Sequence, residues 1–243
     1  QQRRGDHREH HLEDHDGHGI GVDAAHAWEG SVEVSKACQV QVAKQAGADA
    51  ALLITPYYNK PTQEGLYRHY KAIAEAVDLP LVLYNIPGRT GVNMFPATIA
   101  RLAVIETIVG VKEGSGVIQQ ASDIVQTCGD RLAVLAGDDA MTLPMMAVGG
   151  KGVITVTANI APTEMANMVK AFAAGNIEEA RRIHFQLSPL FAALFYETNP
   201  IPVKTALKIL GRDTGDLRLP MCSLDEAGEK KVLEALKAYG LVG

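Results

Sequence analysis

Five short apolar segments recur along the chain, and each is followed by a stretch with helical spacing. The predicted strands cover residues 50–54, 81–84, 108–111, 132–135 and 151–156. These strands are continuously apolar, without the alternation typical of a half-exposed strand, so we expect both faces of the sheet to be covered. Repeated strand–helix units of this length indicate a parallel sheet, either doubly wound or closed into a barrel.

Helical patterns alternate with these strands and then continue without them. The predicted helices cover residues 31–47, 62–77, 96–105, 117–127, a segment ending at 148, 162–173, 176–195, 201–210 and 224–239. Because the last three follow one another with no strand between them, we predict two parts. Residues 43–175 form a partial (β/α) barrel, and residues 176–243 form a helical region packed outside it.

Each predicted strand is followed by polar or conformationally special residues. Examples are Thr55-Pro56-Tyr57-Tyr58, Lys112-Glu113-Gly114 and Gly137-Asp138-Asp139. Functional groups gathered at the carboxyl ends of parallel strands are typical of the TIM (β/α)8 barrel. Such a barrel has eight strands, so the pattern predicts a TIM-type barrel whose first strands are missing from the sequence.

Composition narrows the possible partners. The net charge of -5 gives no reason to expect a nucleic acid or an anionic membrane as partner. The apolar runs are all far shorter than the roughly 20 residues that span a bilayer. The start of the chain has no apolar segment of the kind that a secretory signal requires. Three widely spaced cysteines indicate reduced thiols, so we expect a cytoplasmic protein without a disulfide framework or zinc site.

The first 42 residues differ from the rest of the chain. They hold six of the eight histidines, interleaved with charged residues, and few large aliphatic side chains before residue 19. We interpret this segment as a solvated, poorly ordered tail, because it has too little apolar surface to offset the entropy of ordering. Imidazoles and carboxylates are also metal ligands, so a metal-binding tract is the alternative.

Lys112 is the first candidate for chemistry, because it directly follows an apolar strand. An amine attacks a ketone only when it is neutral, and burial lowers the pKa of a lysine by disfavouring its charged form. The pattern therefore favours a lysine that forms a Schiff base. The alternative is a lysine that only leaves the strand and pairs with Glu113.

Tyr84 ends the preceding strand at the height of Lys112, and Arg89 follows in a Pro-Gly-Arg-Thr-Gly turn. Neighbouring strands lie about 4.8 Å apart, so the phenol is expected near the Lys112 amine, where it can move protons. A guanidinium on a tight turn suits binding of a carboxylate. The alternatives are a tyrosine that covers the core and an arginine that faces solvent.

Further candidates follow the other strands. One of Tyr57 and Tyr58 is expected to face the site and the other a subunit contact. Gly137 lets a ligand approach the backbone, and the two aspartates after it are expected to cap the next helix. The glycine-rich segment 149–152 precedes a strand, so we interpret it as a turn and not as a phosphate loop.

At these residues the chain closely resembles the dihydrodipicolinate synthase family of pyruvate-dependent lyases. The matching segments are TPYYNKPTQEGLYRHYKAIAEAVDLPLVLYNIPGRTG, GVKEGSG, GDD, GGKGVITVTAN and ETNPIPVKTAL. The resemblance covers the chain from about residue 43 to its end. It implies a TIM barrel with a C-terminal helical domain, a homotetramer built from tight dimers, and no metal or organic cofactor.

The resemblance also implies an activity and a role for each residue. The activity is condensation of pyruvate with aspartate 4-semialdehyde to 4-hydroxy-tetrahydrodipicolinate, in lysine and diaminopimelate biosynthesis. Lys112 would form the imine with pyruvate, Tyr84 would carry protons, and Arg89 would bind the carboxylate of the semialdehyde. Tyr58 would reach into the proton relay of a neighbouring subunit. Ile154 would contact pyruvate through its backbone, and Gly137 would line the pocket.

The chain departs from the family at its start. Members have three further βα units, and the second carries a Gly-Thr-Thr-Gly-Glu turn that binds the pyruvate carboxylate. This chain has no Thr-Thr pair, so we expect the family's first units to be truncated or altered and the chain to have little or no synthase activity. Two alternatives stay open. One is a related aldolase acting on neuraminate or keto-deoxy sugars, and the other is a catalytically impaired partial barrel.

Overall fold

A computed structural model describes the backbone of residues 32–243 and the side chains of residues 36–243. The predictions for residues 1–31, both the solvated tail and the metal-binding tract, lie outside this range. Helix α1 (Val32–Gln45) is the first described element, and it ends before Gly47 as predicted. The predicted domain boundary between residues 42 and 43 therefore falls inside a helix, whose Val40 side chain is buried in the core.

Within residues 32–243, five parallel strands form one sheet. They are β1 (Ala51–Ile54), β2 (Leu81–Asn85), β3 (Ile108–Glu113), β4 (Ala133–Ala136) and β5 (Gly152–Val153). All five predicted strands are confirmed, and they lie in the order β1-β2-β3-β4-β5. A doubly wound sheet reverses its strand order at a switch point, whereas a barrel wall runs in sequence order. The strand order therefore favours a barrel over a doubly wound sheet.

The predicted helices are also confirmed, with ends that differ by a few residues. They are α2 (Gln63–Ala76), α4 (Pro96–Leu102), α5 (Ile118–Cys128), α6 (Thr142–Ala147), α7 (Pro162–Ala173), α8 (Ile177–Leu194), α9 (Ile201–Ile209) and α10 (Glu226–Tyr239). The Thr62 side chain caps α2 by accepting from the Gly65 N–H. A one-turn helix, α3 (Pro87–Thr90), replaces the turn predicted around Arg89.

The two faces of the sheet differ in burial. Leu81, Leu83 and Val111 are fully buried in a cluster with side chains of α2, α4 and α5. The opposite face, which carries Tyr84 and Lys112, is only half-buried. We expected both faces to be covered; among the described residues the helices cover one face, and the other face is only partly buried.

A second apolar cluster joins the last four helices. Met165 and Met168 of α7 are buried with Leu187 of α8, Val203 of α9 and Leu236 of α10. The predicted helical region therefore also uses the final helix of the βα part. Within residues 32–243, no helix is long and apolar enough to cross a membrane. All three cysteines are free, and Cys128 is the buried one.

We predict that Leu83→Ala lowers the free energy of unfolding by about 2–5 kcal/mol, since Leu83 is fully buried and the truncation leaves a cavity. Chemical denaturation monitored by circular dichroism measures this. The matched control is Leu219→Ala at a side chain that is 89% exposed, which should change stability by less than about 0.5 kcal/mol. Equal losses for the two variants would contradict the assignment of the core.

Candidate active site

Tyr84 and Lys112 are direct neighbours across two strands. Parallel pairing of β2 with β3 places Tyr84 opposite Lys112 in the register. The Lys112 Nζ atom lies 4.3 Å from the centre of the Tyr84 ring. The predicted equal height of the two residues is therefore confirmed.

Lys112 sits in an environment that disfavours its charged form. Burial lowers the pKa of its amine, and the nearby Arg89 charge lowers it further, while the Asp139 carboxylate raises it. The net shift is downward, in the direction expected from the sequence. The alternative pairing with Glu113 is not formed, because the Glu113 carboxylate is bound by other donors. Lys112 is thus an amine partly prepared for attack on a carbonyl.

Tyr84 is held mainly in its neutral phenol form. Burial raises the pKa of its hydroxyl, and the Arg89 charge opposes this by favouring the phenolate. A neutral phenol can both donate and accept a hydrogen bond. Beside a lysine that changes its protonation during reaction, this group can carry a proton in either direction.

Arg89 is held at the edge of the site by a contact that the sequence did not reveal. Its Nη2 atom donates to the Asn199 carbonyl at 3.0 Å, which links α3 to the loop between α8 and α9. Arg89 is exposed, and its charge acts on both Lys112 and Tyr84. A separation of 110 residues leaves no local signal by which Asn199 could have been found.

The two aspartates after β4 have different roles. Asp138 caps the short helical turn that follows, by accepting from the Ala140 N–H as predicted. Asp139 is not a cap of that kind, because its carboxylate is buried and accepts from the Val156 N–H at 3.2 Å and the Thr157 N–H at 2.7 Å. Asp139 therefore ties the end of β4 to the segment after β5 and supplies a negative charge near Lys112.

Gly137 and Ile154 are both set by backbone contacts. A Cβ atom on Gly137 would lie 2.9 Å from the Glu113 carbonyl oxygen and 2.9 Å from the Gly114 Cα. The close packing of the ends of β3 and β4 therefore explains why position 137 has no room for a side chain. The Ile154 N–H donates to the Ala136 carbonyl, so a ligand contact through the Ile154 backbone would use its carbonyl.

Tyr57 and Tyr58 lie on the surface of the single chain. Their exposures are 67% and 88%, and Tyr58 has a left-handed φ of 65°. Both lie in the loop beyond β1 and not in the strand, so strand alternation does not decide which of the two faces the site. A role for Tyr58 in a neighbouring subunit stays a prediction.

Among the described residues, no group of three or more histidine, cysteine, aspartate or glutamate side chains is arranged to hold a metal ion. The groups that converge on Lys112 are Tyr84, Arg89 and Asp139. With Lys112 they provide a half-buried amine, a phenol, a cation and an anion. This set is suited to forming and protonating an imine with a small ketone that carries a carboxylate.

Comparison with known proteins gives consistent matches. A sequence profile of the Dihydrodipicolinate synthetase family matches residues 25–239, so the match begins inside the first 42 residues. The 4-hydroxy-tetrahydrodipicolinate synthase of Geobacter sp. (strain M21) is 55% identical over 214 residues, covering 88% of this chain and 74% of that protein.

Solved structures show the same similarity in three dimensions. The dihydrodipicolinate synthase of Thermotoga maritima has a TM-score of 0.85 at 43% identity, covering 86% of this chain and 72% of that one. The enzyme of Acinetobacter baumannii, whose structure holds pyruvate, has a TM-score of 0.84 at 46% identity with the same coverage of 86% and 72%. The predicted TIM-barrel fold is confirmed.

We predict that Asp139→Asn makes the Lys112 amine more reactive near neutral pH. Asp139 raises the pKa of Lys112, so removal of its charge lowers that pKa and moves the half-maximal reactivity to lower pH. Labelling with an amine-specific acylating reagent across a pH series, read by peptide mass spectrometry, measures this shift.

Asp138→Asn is the matched control, because asparagine is an equally good cap. The charges that shift the Lys112 pKa are those of Asp139 and Arg89, and not that of Asp138. Circular dichroism checks that both variants are folded. A profile for Asp139→Asn that is unchanged, or moved to higher pH, would contradict the electrostatic assignment.

Proposed function

The chain belongs to the dihydrodipicolinate synthetase family, and on that basis we propose that it condenses pyruvate with aspartate 4-semialdehyde to 4-hydroxy-tetrahydrodipicolinate. It would act as a class I aldolase-type lyase of lysine and diaminopimelate biosynthesis. The observation that carries the proposal is the pairing of a lysine of lowered pKa with a tyrosine on the neighbouring strand.

The first step is imine formation at Lys112. The neutral amine attacks the ketone carbon of pyruvate, a C–N bond forms, and the carbonyl oxygen leaves as water after taking up protons. The Tyr84 phenol lies beside the amine and can both donate and accept these protons. The Asp139 carboxylate then stabilises the positive charge of the iminium.

The second step forms the carbon–carbon bond. Loss of a proton from the pyruvate methyl group gives an enamine, whose carbon attacks the aldehyde carbon of the semialdehyde while the aldehyde oxygen takes a proton. The amino group of the semialdehyde then displaces Lys112 from the imine carbon, which closes the ring and frees the enzyme. Tyr84 serves these proton transfers as well.

Arg89 selects the second substrate in this proposal. Its guanidinium is exposed at the edge of the site and is oriented by the Asn199 carbonyl, which leaves further N–H donors for a carboxylate. Ile154 contacts pyruvate through its carbonyl, and Gly137 lines the pocket where β3 and β4 end. In these assignments Arg89 is the group that binds the carboxylate of the semialdehyde.

Tyr58 acts in a neighbouring subunit of a homotetramer in this proposal. The support is its position, since a tyrosine that is 88% exposed beyond the carboxyl end of β1 is free to enter a partner's site. The reaction takes place in the cytoplasm, where reduced cysteines are expected. Neither point is needed for imine formation on Lys112.

Two alternatives are separated from this proposal by substrate use. A neuraminate or keto-deoxy-sugar aldolase has no need for a second carboxylate clamp, so the orientation of Arg89 favours the semialdehyde. Turnover of sugar acids in the absence of the semialdehyde would overturn the choice. An impaired partial barrel would not turn over the substrates, whether or not it forms the imine with pyruvate.

We predict that pyruvate and borohydride together modify Lys112 covalently and stoichiometrically. Hydride reduces the iminium to a stable secondary amine, so peptide mass spectrometry locates the adduct. Tyr84→Phe should slow adduct formation by about 100-fold, since positioned proton transfer contributes factors of this size. Lys112→Met should abolish the adduct. An adduct on another lysine, or none on folded protein, would contradict the role of Lys112.

We predict that Arg89→Lys separates the two halves of the reaction. The variant keeps the positive charge but loses the planar fork that binds a carboxylate through two hydrogen bonds. Imine trapping with pyruvate should stay within about twofold, while turnover with the semialdehyde should fall by about tenfold, the loss of one charge-assisted hydrogen bond.

Arg131→Lys is the matched control, because its guanidinium also donates to backbone carbonyls but lies at the end of α5, away from the site. It should leave both rates unchanged. Equal loss of trapping and turnover in Arg89→Lys would show that Arg89 acts on pyruvate or on folding and not on the second substrate.

A further inference from the structure

The residues that follow Tyr84 and Lys112 are buried on the opposite face of the sheet. Asn85 is 0% exposed and Glu113 is 2% exposed, and the register pairs them directly. Successive strand residues point to opposite faces, so both side chains lie under the helix layer and not in the site. A carboxylate in such a position is costly unless its oxygens are satisfied.

Both carboxylate oxygens of Glu113 accept hydrogen bonds. Its Oε1 atom accepts from the Ser115 N–H at 2.7 Å, and its Oε2 atom accepts from Asn85 Nδ2 and Gln120 Nε2, both at 3.0 Å. An ionised carboxylate, which accepts on both oxygens and donates nothing, fits this pattern. The carboxylate therefore joins the ends of β2 and β3 to helix α5.

The direction of these hydrogen bonds is fixed by the backbone. The Met94 N–H donates to Asn85 Oδ1 at 2.9 Å, so the Asn85 amide cannot turn over without losing this bond. Asn85 Nδ2 also donates to Asn93 Oδ1 at 2.8 Å, and Asn93 Nδ2 donates to Gln120 Oε1 at 2.7 Å. We call these four side chains, Asn85, Asn93, Glu113 and Gln120, the Glu113 network.

The Glu113 network contacts the strands that carry Tyr84 and Lys112 and the loop that carries Arg89. Asn85 directly follows Tyr84 in β2, and Glu113 directly follows Lys112 in β3. The loop of residues 86–93, which includes Arg89, begins after Asn85. Its far end is joined to the Asn85 side chain by the hydrogen bonds with Asn93 and Met94. A shift of about 1 Å in such groups can cost about 100-fold in rate.

We propose that Glu113 is a positioning residue, whose carboxylate holds Lys112, Tyr84 and the Arg89 loop in reactive geometry through the Glu113 network. The proposal rests on the proposed Schiff-base function. Glu113 does not itself exchange protons with substrate, because its side chain lies on the face opposite to Lys112. It acts as the common acceptor for donors that all point toward it.

Glu113→Gln tests the proposal with almost no change in shape. In either orientation of the new amide, its NH2 group meets a donor, either the Ser115 N–H or the pair from Asn85 and Gln120. The Met94 bond prevents Asn85 from turning to compensate. The maximal rate of pyruvate imine trapping by borohydride should fall at least about tenfold, while the half-saturating pyruvate concentration stays within about twofold.

Gln120→Leu is the second variant, for use whether or not Glu113→Gln folds. It removes one donor to Glu113 from α5 and should slow trapping about threefold or more in the same way. Gln119→Leu is the matched control on the same helix, because the Gln119 amide is exposed and donates to Asp123 at 2.8 Å, outside the Glu113 network. It should trap pyruvate at the wild-type rate. Circular dichroism confirms that each protein compared is folded.

The outcomes separate the two levels of the proposal. If the wild-type chain forms no adduct on Lys112, the proposed function fails. If it does, and folded Glu113→Gln or Gln120→Leu traps at the wild-type rate, the positioning role fails. A rise in the half-saturating pyruvate concentration with an unchanged maximal rate would assign the Glu113 network to ground-state binding and would also overturn the proposal.

Discussion

The register of two neighbouring strands is the constraint on which the rest of the site depends. Pairing of β2 with β3 places Tyr84 opposite Lys112, and side chains in successive positions of a strand point to opposite faces. A slip of β3 by one residue against β2 would bury Lys112 under the helices and expose Val111. One register therefore both buries the apolar side chains and places the reactive side chains on the opposite face.

The electrostatics of the site follow from that placement. Burial lowers the pKa of Lys112 and raises that of Tyr84, so each shift is toward the neutral form of the group. Arg89 and Asp139 act on Lys112 with opposite signs, and each is held by backbone partners from distant segments. The amine thus has a nearby cation that favours its neutral state and a nearby anion that stabilises the iminium formed later.

Much of this fold could be predicted from the sequence. Continuous apolar runs such as 81–84 and helical spacing such as 162–173 are local signals, and they predicted all five strands. They also predicted that Tyr84 and Lys112 lie side by side on neighbouring strands. The partners of Arg89 and Asp139 could not be predicted, because Asn199 and Thr157 reach them through tertiary packing. Glu113 looked like a possible partner for Lys112, and only strand alternation and the contacts of α5 show that it faces away.

The central claim is that Lys112 is the residue that bonds to pyruvate, with Tyr84 beside it. A crystal structure of the chain reduced with borohydride in the presence of pyruvate tests this directly. Our account predicts continuous electron density from Lys112 Nζ to the former ketone carbon of pyruvate, with the Tyr84 hydroxyl within hydrogen-bond distance and Glu113 still bound by Asn85 and Gln120. Density that joins pyruvate to another lysine, or pyruvate bound without a covalent bond, would contradict it.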